Sequence, residues 1–277
     1  MADEYLAMAK QAAEKAGKLI RDAHNTRAFS VDDKNNQNAQ RHVDLVTEID
    51  KAAEQVIIET LKQRFPNHNF IGEESAQMHL DQPLILDPSP TWIIDPLDGT
   101  TNFVHGYHLV TVSIALAING QLLLGVIYNP LLDMMCSAIQ GRGATLNGQP
   151  IQVSAAKNVK EAVIVNNMGV SREPGVNALC TARLYALLEE SVRGLRNSGS
   201  AAQNMMDVAC GRLDAYFEDG FGGPWDVAAG VVIVEEAGGV CRMVLGEPFS
   251  LRAGKGQVLC GNPQVVEDVA RILRAVK

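Results

Sequence analysis

The chain has 277 residues, of which 47% are hydrophobic and 20% charged, enough to bury a large core and too apolar for a disordered or fibrous protein. A formal charge of -8 without a basic patch argues against a dedicated nucleic-acid binder and suits a protein that handles small molecules. The five cysteines, Cys136, Cys180, Cys210, Cys241 and Cys260, form no C-x-x-C spacing, so neither a disulfide framework nor a zinc site is indicated, and reduced core thiols of a cytoplasmic protein are expected.

In chain order, MADEYLAMAKQAAEKAGKLI lacks the basic start and continuous apolar core of a signal peptide. Its Leu6, Ala9, Ala13, Ala16 and Ile20 recur at helical spacing and predict an amphipathic helix. SVDDKNNQNAQRH, with His42 at its end, is polar and aperiodic, and residues 31–42 read as a mobile surface loop. In DLVTEIDKAAEQVIIETLKQRF, Thr47 and Asp50 make a capping-box-like start, and Ala53, Val56, Ile57 and Leu61 share one face of a helix that ends at Pro66. FIGEES reads as a short strand leading into Glu73 and Glu74.

WIIDPLDGTTNFVHG carries the chemistry. Trp92, Ile93 and Ile94 predict a buried strand stopped at Asp95-Pro96, because proline has no amide hydrogen for a ladder. Two carboxylates then sit where a buried strand emerges. If Asp95 and Asp98 converge to roughly 5 Å, they repel by about 3 kcal/mol at an effective dielectric near 20, so a basic side chain, a shared proton or a metal is required. No lysine or arginine lies between Ser75 and Arg142. Oxygen donors without histidine or cysteine favour magnesium, calcium or manganese. Taken alone, Asp95 can cap a turn and Asp98 can N-cap the helix beginning GTTNF. Asp98-Gly99-Thr100-Thr101 also has the form of a helix N-terminus, whose free amides attract phosphate. Carboxylates beside an anion-binding helix start point to a phosphatase.

Downstream, Asn119-Gly120 divides a long apolar region into two segments of about ten residues, too short to span a membrane and suited to a hairpin. Asn147-Gly148 marks a second turn. The second half alternates: AVIVNN a strand, VNALCTARLYALLEESVRG a helix, LRNSG a strand end, SAAQNMMDVACGR a helix, LDAYFED a strand, PWDVAAGVVIVEEAGG a helix, GVCRM and QVLCGN strands, and NPQVVEDVARILRAVK a closing helix. Mixed sheets covered by helices in layers fit this order.

WIIDPLDGTTNFVHG is similar to the signature of the inositol monophosphatases, members of the lithium-sensitive, magnesium-dependent phosphatase superfamily. PWDVAAGVVIVEEAGG resembles their second signature, and DLVTEID, FIGEES, NGQPIQVS and GSAAQNMMDVACGRLDAYFE extend the resemblance over nearly the whole chain. It implies an α/β fold, the layered αβαβα sandwich of the sugar phosphatases. One catalytic unit over residues 1–277 is expected, with approximate halves at 1–155 and 156–277. The resemblance further implies two to three Mg2+ ions. One is held by Glu73, Asp95 and the Leu97 carbonyl, one by Asp95, Asp98 and Asp226, and a weaker one lies near Glu73. Thr100 and Asp50, beside Glu73, would order the attacking water. Gly99 and Thr100 amides would take the phosphate, and Asp98, the Ala201 amide, Glu218 and Asp226 the inositol ring. A homodimer acting on inositol phosphates, with neither nucleic acid nor membrane as a partner, is implied.

Fructose 1,6-bisphosphate, histidinol phosphate, nucleotide 3'-phosphates and a nonenzymatic binding role remain alternatives. EDGFGGPW reads as one residue longer than in the animal enzymes, with Gly222, Gly223 and Pro224 where bulkier residues stand, which leaves specificity over 219–224 open. Glu74 is expected to support the strand turn and His105 to cap or pack. Met205, Met206 and Cys210 read as core, and Trp92 and Trp225 as residues that hold the two signatures together.

Overall fold

The computed structural model describes residues 1–27, 29–33, 45–75, 86, 88–169, 172–251 and 256–276. Helix α1 (Ala2–Thr26) buries Ala9, Ala12, Ala13, Ala16 and Ile20 on one face, and its small side chains let α2 (Glu48–Arg64) pack closely beside it. The capping box at α2 forms as expected: the Thr47 hydroxyl accepts from the Ile49 amide, and the Thr47 amide donates to Asp50 Oδ2 at 2.8 Å. The polar loop expected at 31–42 lies outside the described residues except at its start. There Val31–Asp33 (β1) pairs antiparallel with Leu45–Thr47 (β2), so those three residues are strand rather than loop.

A seven-stranded sheet follows in sequence order: β3 (Asn69–Gly72), β4 (Thr91–Asp98), β5 (Thr111–Ile118), β6 (Gln121–Asn129), β7 (Met134–Ile139), β8 (Ala144–Leu146) and β9 (Gln149–Pro150). Only β3 and β4 are parallel; the rest is a meander. Asn119 and Gly120 close β5 to β6 with φ of 54° and 72°, the left-handed pair that a two-residue hairpin requires. Strand β4 is buried on both faces: Trp92 and Ile94 pack on α1 and α2, while Ile93 packs on the other side. This explains why its apolar run does not alternate.

The five-stranded second sheet contains β10 (Val163–Asn167), β11 (Gly194–Asn197), β12 (Ala215–Phe221), β13 (Val240–Arg242) and β14 (Gly256–Gly261), in the order β11-β10-β12-β14-β13. Helices α5 (Ala201–Ala209) and α6 (Pro224–Glu236) share a core with the inner faces of both sheets. Helix α6 is therefore apolar nearly all round. On the outer face of the second sheet lie α4 (Pro174–Glu189) and α7 (Pro263–Ala275), around Ile164, Leu187, Phe217, Leu259 and Val265. The layers run helix, sheet, helix, sheet, helix, the αβαβα sandwich expected from sequence.

Met205 and Met206 are core, as are four of the five free cysteines; Cys210 is half-buried. Trp92 and Trp225 do not meet. They belong to separate cores on opposite faces of the seven-stranded sheet: Trp92 points from β4 to the side of α1 and α2, while Trp225 lies on α6 against the other face. The signatures are joined instead through Ser113 on β5, whose hydroxyl donates to the Trp225 carbonyl at 3.0 Å.

Where α6 crosses β6, a β-carbon at Gly125 would lie 2.3 Å from the Ala229 carbonyl oxygen. Backbone cannot retreat there without lifting α6 from the sheet. Gly125→Ala is expected to lower stability by about 2 kcal/mol, read as the loss in urea unfolding free energy; a loss below about 0.5 kcal/mol would show that the interface yields.

Candidate active site

The site is built where β4 is interrupted. Contrary to the expected stop at Asp95-Pro96, β4 continues to Asp98. Asp95 pairs with Ser113 and Asp98 with Thr111, so three steps on β4 face two on β5. The bulge accommodates a proline without an amide hydrogen inside an otherwise continuous ladder. It also brings Asp95 and Asp98 to adjoining positions with the Leu97 backbone between them. Asp95 Oδ1 accepts from the Leu97 amide at 3.0 Å, and both aspartates are buried.

Glu73 follows β3, its amide bonded to the Ile94 carbonyl at 3.1 Å, which places it beside Asp95. Asp226 is half-buried in the first turn of α6, and its Oδ2 accepts from the Gly222 amide at 2.7 Å. These acids repel one another. Burial, followed by the charges of Glu73, Asp98 and Asp226, holds the Asp95 carboxyl well above the usual range. Burial and the charges of Glu73, Asp98 and Glu218 do the same to Asp226. No basic side chain figures among the leading influences on either group.

Asp98 is not the N-cap of α3 (Thr100–His105); Gly99 is, at φ 91°. Asp98 faces the start of α5 instead. Its carboxylate accepts from the amides of Ala201 (3.2 Å) and Ala202 (2.8 Å), from Thr111 Oγ1 (3.2 Å) and from Ser200 Oγ. Burial still raises its carboxyl, against the lowering effect of these donors. The Ala201 amide, expected to meet the substrate, is thus engaged by Asp98. The pairing links the two halves of the chain through a helix N-terminus that favours negative charge.

Asp50 and Thr100 meet as expected. Thr100 Oγ1 lies 3.1 Å from Asp50 Oδ1 and 3.2 Å from the Leu97 carbonyl oxygen, so its one proton can reach either acceptor. Burial raises the Asp50 carboxyl. At Gly99 a β-carbon would stand 2.9 Å from the Leu109 carbonyl, so only glycine leaves this backbone bare.

Glu218 sits on β12, 5% exposed, where burial pushes its carboxyl up to about 7 against hydrogen bonds from Tyr216 and Asn167. Segment 219–224 bulges between Asp219 and Phe221, with Gly220 at φ 101°, before Gly223 caps α6. The Glu74 amide donates to Glu54 Oε2 at 2.9 Å, in keeping with a supporting role, and His105 is exposed at the end of α3. His42 lies outside the described residues.

Sequence reasoning did not assign roles to Thr111, Ser200, Ala202, Asn167 or Tyr216. Ser200 carries a readable signal as the N-cap of α5, but nothing local shows that its hydroxyl is turned to Asp98.

Among the described residues, no three acidic, histidine or cysteine side chains form a ready-made ligand cluster; Asp95, Asp98 and Asp226 each accept from backbone amides, and Asp95 also shares a hydrogen bond with Glu73. The fit to a cation is chemical. Buried carboxylates that raise one another's proton affinity are the hard oxygen donors suited to magnesium.

A family model described as the inositol monophosphatase family matches residues 1–277. "Inositol monophosphatase 3" of Solanum lycopersicum is 47% identical over 251 residues, covering 91% of this chain and 90% of that protein. The crystal structure of the extragenic suppressor protein suhB from Bartonella henselae is 34% identical with a TM-score of 0.85, covering 98% of each chain. The structure of inositol monophosphatase from Anabaena (Nostoc) sp. PCC 7120 is 34% identical with a TM-score of 0.81, covering 99% of this chain and 96% of that one.

Proposed function

The chain belongs to the inositol monophosphatase family, and from that premise we propose that it is a magnesium-dependent phosphomonoesterase that hydrolyses myo-inositol monophosphates to inositol and phosphate. The observation that carries this reading is the set of carboxylates at the β4 bulge, buried Asp95 and Asp98 with half-buried Glu73 and Asp226, beside the start of α3, which has no side-chain cap. Glu73, Asp95, the Leu97 carbonyl, Asp98 and Asp226 would hold two to three magnesium ions. When bound, magnesium offsets phosphoryl charge and acidifies water.

The chain's own residues do the rest. The amides of Gly99 and Thr100 receive phosphoryl oxygens at the start of α3, where Gly99 packs too close to the Leu109 carbonyl to carry a side chain. Thr100, donating its proton to Asp50, keeps lone pairs with which to accept from the attacking water. The proton then passes from water to Thr100 Oγ1 and on to Asp50, whose raised proton affinity suits the task. Asp98, fixed by α5, and Glu218 with Asp226 face the alcohol side. We propose one catalytic unit, a homodimer in the cytoplasm, sensitive to lithium. Among the described residues, no helix is long and apolar enough to cross a membrane.

Phosphate release from inositol 1-phosphate, fructose 1,6-bisphosphate, histidinol phosphate and adenosine 3',5'-bisphosphate, with magnesium, with chelator, and with magnesium plus lithium, tests the reading. The expected result is magnesium-dependent, lithium-inhibited turnover with the highest kcat/KM on inositol 1-phosphate. A higher kcat/KM on any other substrate overturns the substrate assignment, and turnover undiminished by chelator overturns the metal requirement.

A further inference from the structure

Glu218 is held asymmetrically. Both of its hydrogen bonds fall on Oε2, from the Tyr216 hydroxyl and from Asn167 Nδ2 at 3.0 Å. Among the described residues, Oε1 has neither a hydrogen bond nor a place among the fully enclosed polar atoms without a partner. One carboxylate oxygen is thus fixed by the protein, and the other is free to accept from outside.

Asn167 fixes more than Glu218. It lies on β10 in direct register with Glu218 on the parallel strand β12. Its Oδ1 accepts from the Gly199 amide at 3.0 Å and from Asn204 Nδ2 at 3.2 Å. Gly199 immediately precedes Ser200, whose hydroxyl donates to Asp98, and Asn204 lies on α5, whose first amides hold Asp98. The side-chain amide therefore spans the gap between the carboxylate facing the alcohol side and the turn that fixes Asp98. Its donor end serves one and its acceptor end the other, so its two ends have separable tasks.

We propose that Asn167 is a positioning residue for substrate selection: by holding Oε2 it presents Oε1 of Glu218 to a ring hydroxyl, and so favours polyol phosphates over phosphate esters that lack such a hydroxyl. The inference rests on the inositol monophosphatase reading above. The hydroxyl donates to Oε1 in the bound complex, and no bond is made or broken there. An ester without the hydroxyl leaves Oε1 unpaired and gains nothing from the arrangement.

The test is Asn167→Asp, which keeps an acceptor for Gly199 and Asn204 and replaces the donor to Glu218 with a carboxylate oxygen that repels it. Steady-state kinetics with magnesium are compared on inositol 1-phosphate and 4-nitrophenyl phosphate. The expected result is a fall of roughly tenfold or more in the ratio of their kcat/KM values, carried by KM for inositol 1-phosphate, as expected for loss of a hydrogen bond to a charged group. A Glu218→Gln background should absorb most of that fall, because the two residues act as a unit. Asn167→Leu, which removes both ends, should lose activity on both substrates.

Equal losses on the two substrates in Asn167→Asp would make Asn167 merely structural and overturn the inference while leaving the family activity intact. An unchanged ratio overturns it as well. A wild-type protein that turns over 4-nitrophenyl phosphate but not inositol 1-phosphate overturns the substrate reading first, and the role of Asn167 with it. If Asn167→Asp proves unstable by thermal unfolding, Asn167→Ser, whose shorter side chain withdraws the donor from Glu218 without adding charge, is measured instead: a fall in the same ratio supports the inference, and equal losses or an unchanged ratio overturn it.

Discussion

Asp95→Asn is expected to lower turnover by on the order of 10³-fold or more without unfolding the protein. Asparagine matches the shape of aspartate and retains the Oδ1 that accepts from the Leu97 amide, so the bulge in β4 keeps its internal tie. What it loses is a charge placed among Glu73, Asp98 and Asp226. The same charge makes Asp95 costly in the metal-free protein, since burial and three like charges favour its protonated form. The two effects oppose each other: a residue that the proposed reaction requires is one whose charge the metal-free fold disfavours.

The sign of the pH dependence follows. A carboxyl whose folded pKa is raised contributes stability that is fully present below its unfolded pKa and lost as pH rises through the folded value. For Glu218 that window runs from the ordinary 4.5 to about 7, and Asp95 and Asp226 add to it in the same direction. Metal-free protein should therefore lose stability between about pH 4.5 and 7 from Glu218, with further losses from Asp95 and Asp226 that begin as pH rises above their ordinary 3.8, and Asp95→Asn should reduce the total loss. Thermal unfolding in chelator across this range, together with phosphate release in magnesium, checks both halves. Activity within tenfold of wild type would remove Asp95 from the metal site, and a melting temperature well below wild type at neutral pH would make its role structural.

How much of this could be read beforehand depends on how local each cause is. The cap of α2 and the turn at Asn119-Gly120 were legible because neighbouring residues determine them. Asp95, Asp98 and Asp226 stand out through the two signatures and Glu73 through FIGEES, and the structure brings the four near one another. The way Asp98 is held was not: its partners, Ser200, Ala201 and Ala202, stand about a hundred residues away, and a helix start shows no sign of which anion it faces. Proline suggested a strand end at residue 96, yet a bulge let the ladder resume, because the outcome depends on the register of β5. The β1 and β2 pairing was missed because each strand is only three residues long and polar in part.

Arg183→Met is expected to cost about 3–5 kcal/mol, the largest loss of stability foreseen for a single change. Arg183 on α4 and Asp219 on β12 form an ion pair with side chains only 5% and 11% exposed. Asp219 also accepts from Gln257 Nε2 at 3.0 Å on β14, so the pair ties the outer helix to two strands of the second sheet. Removing the guanidinium leaves an almost buried carboxylate with a neutral amide for company, and that penalty, rather than the worth of the contact itself, sets the magnitude. The pair as a whole need not be stabilising, because burial disfavours the charged form of Arg183, holding its pKa below the usual range, and leaves its Nε without a partner. Arg183→Met/Asp219→Leu should therefore recover most of the loss, as replacing both ions by apolar groups of similar volume removes both desolvation penalties. Urea unfolding of the two single variants and the double variant measures the coupling directly. A single-variant loss below about 1 kcal/mol would mean that water reaches the pair. A double variant no better than Arg183→Met would mean that the pair fixes the packing of α4 on β12. Asp219 follows Glu218 in β12, so the single variants should also raise KM for inositol 1-phosphate, whereas a pair that serves stability alone would leave KM in place.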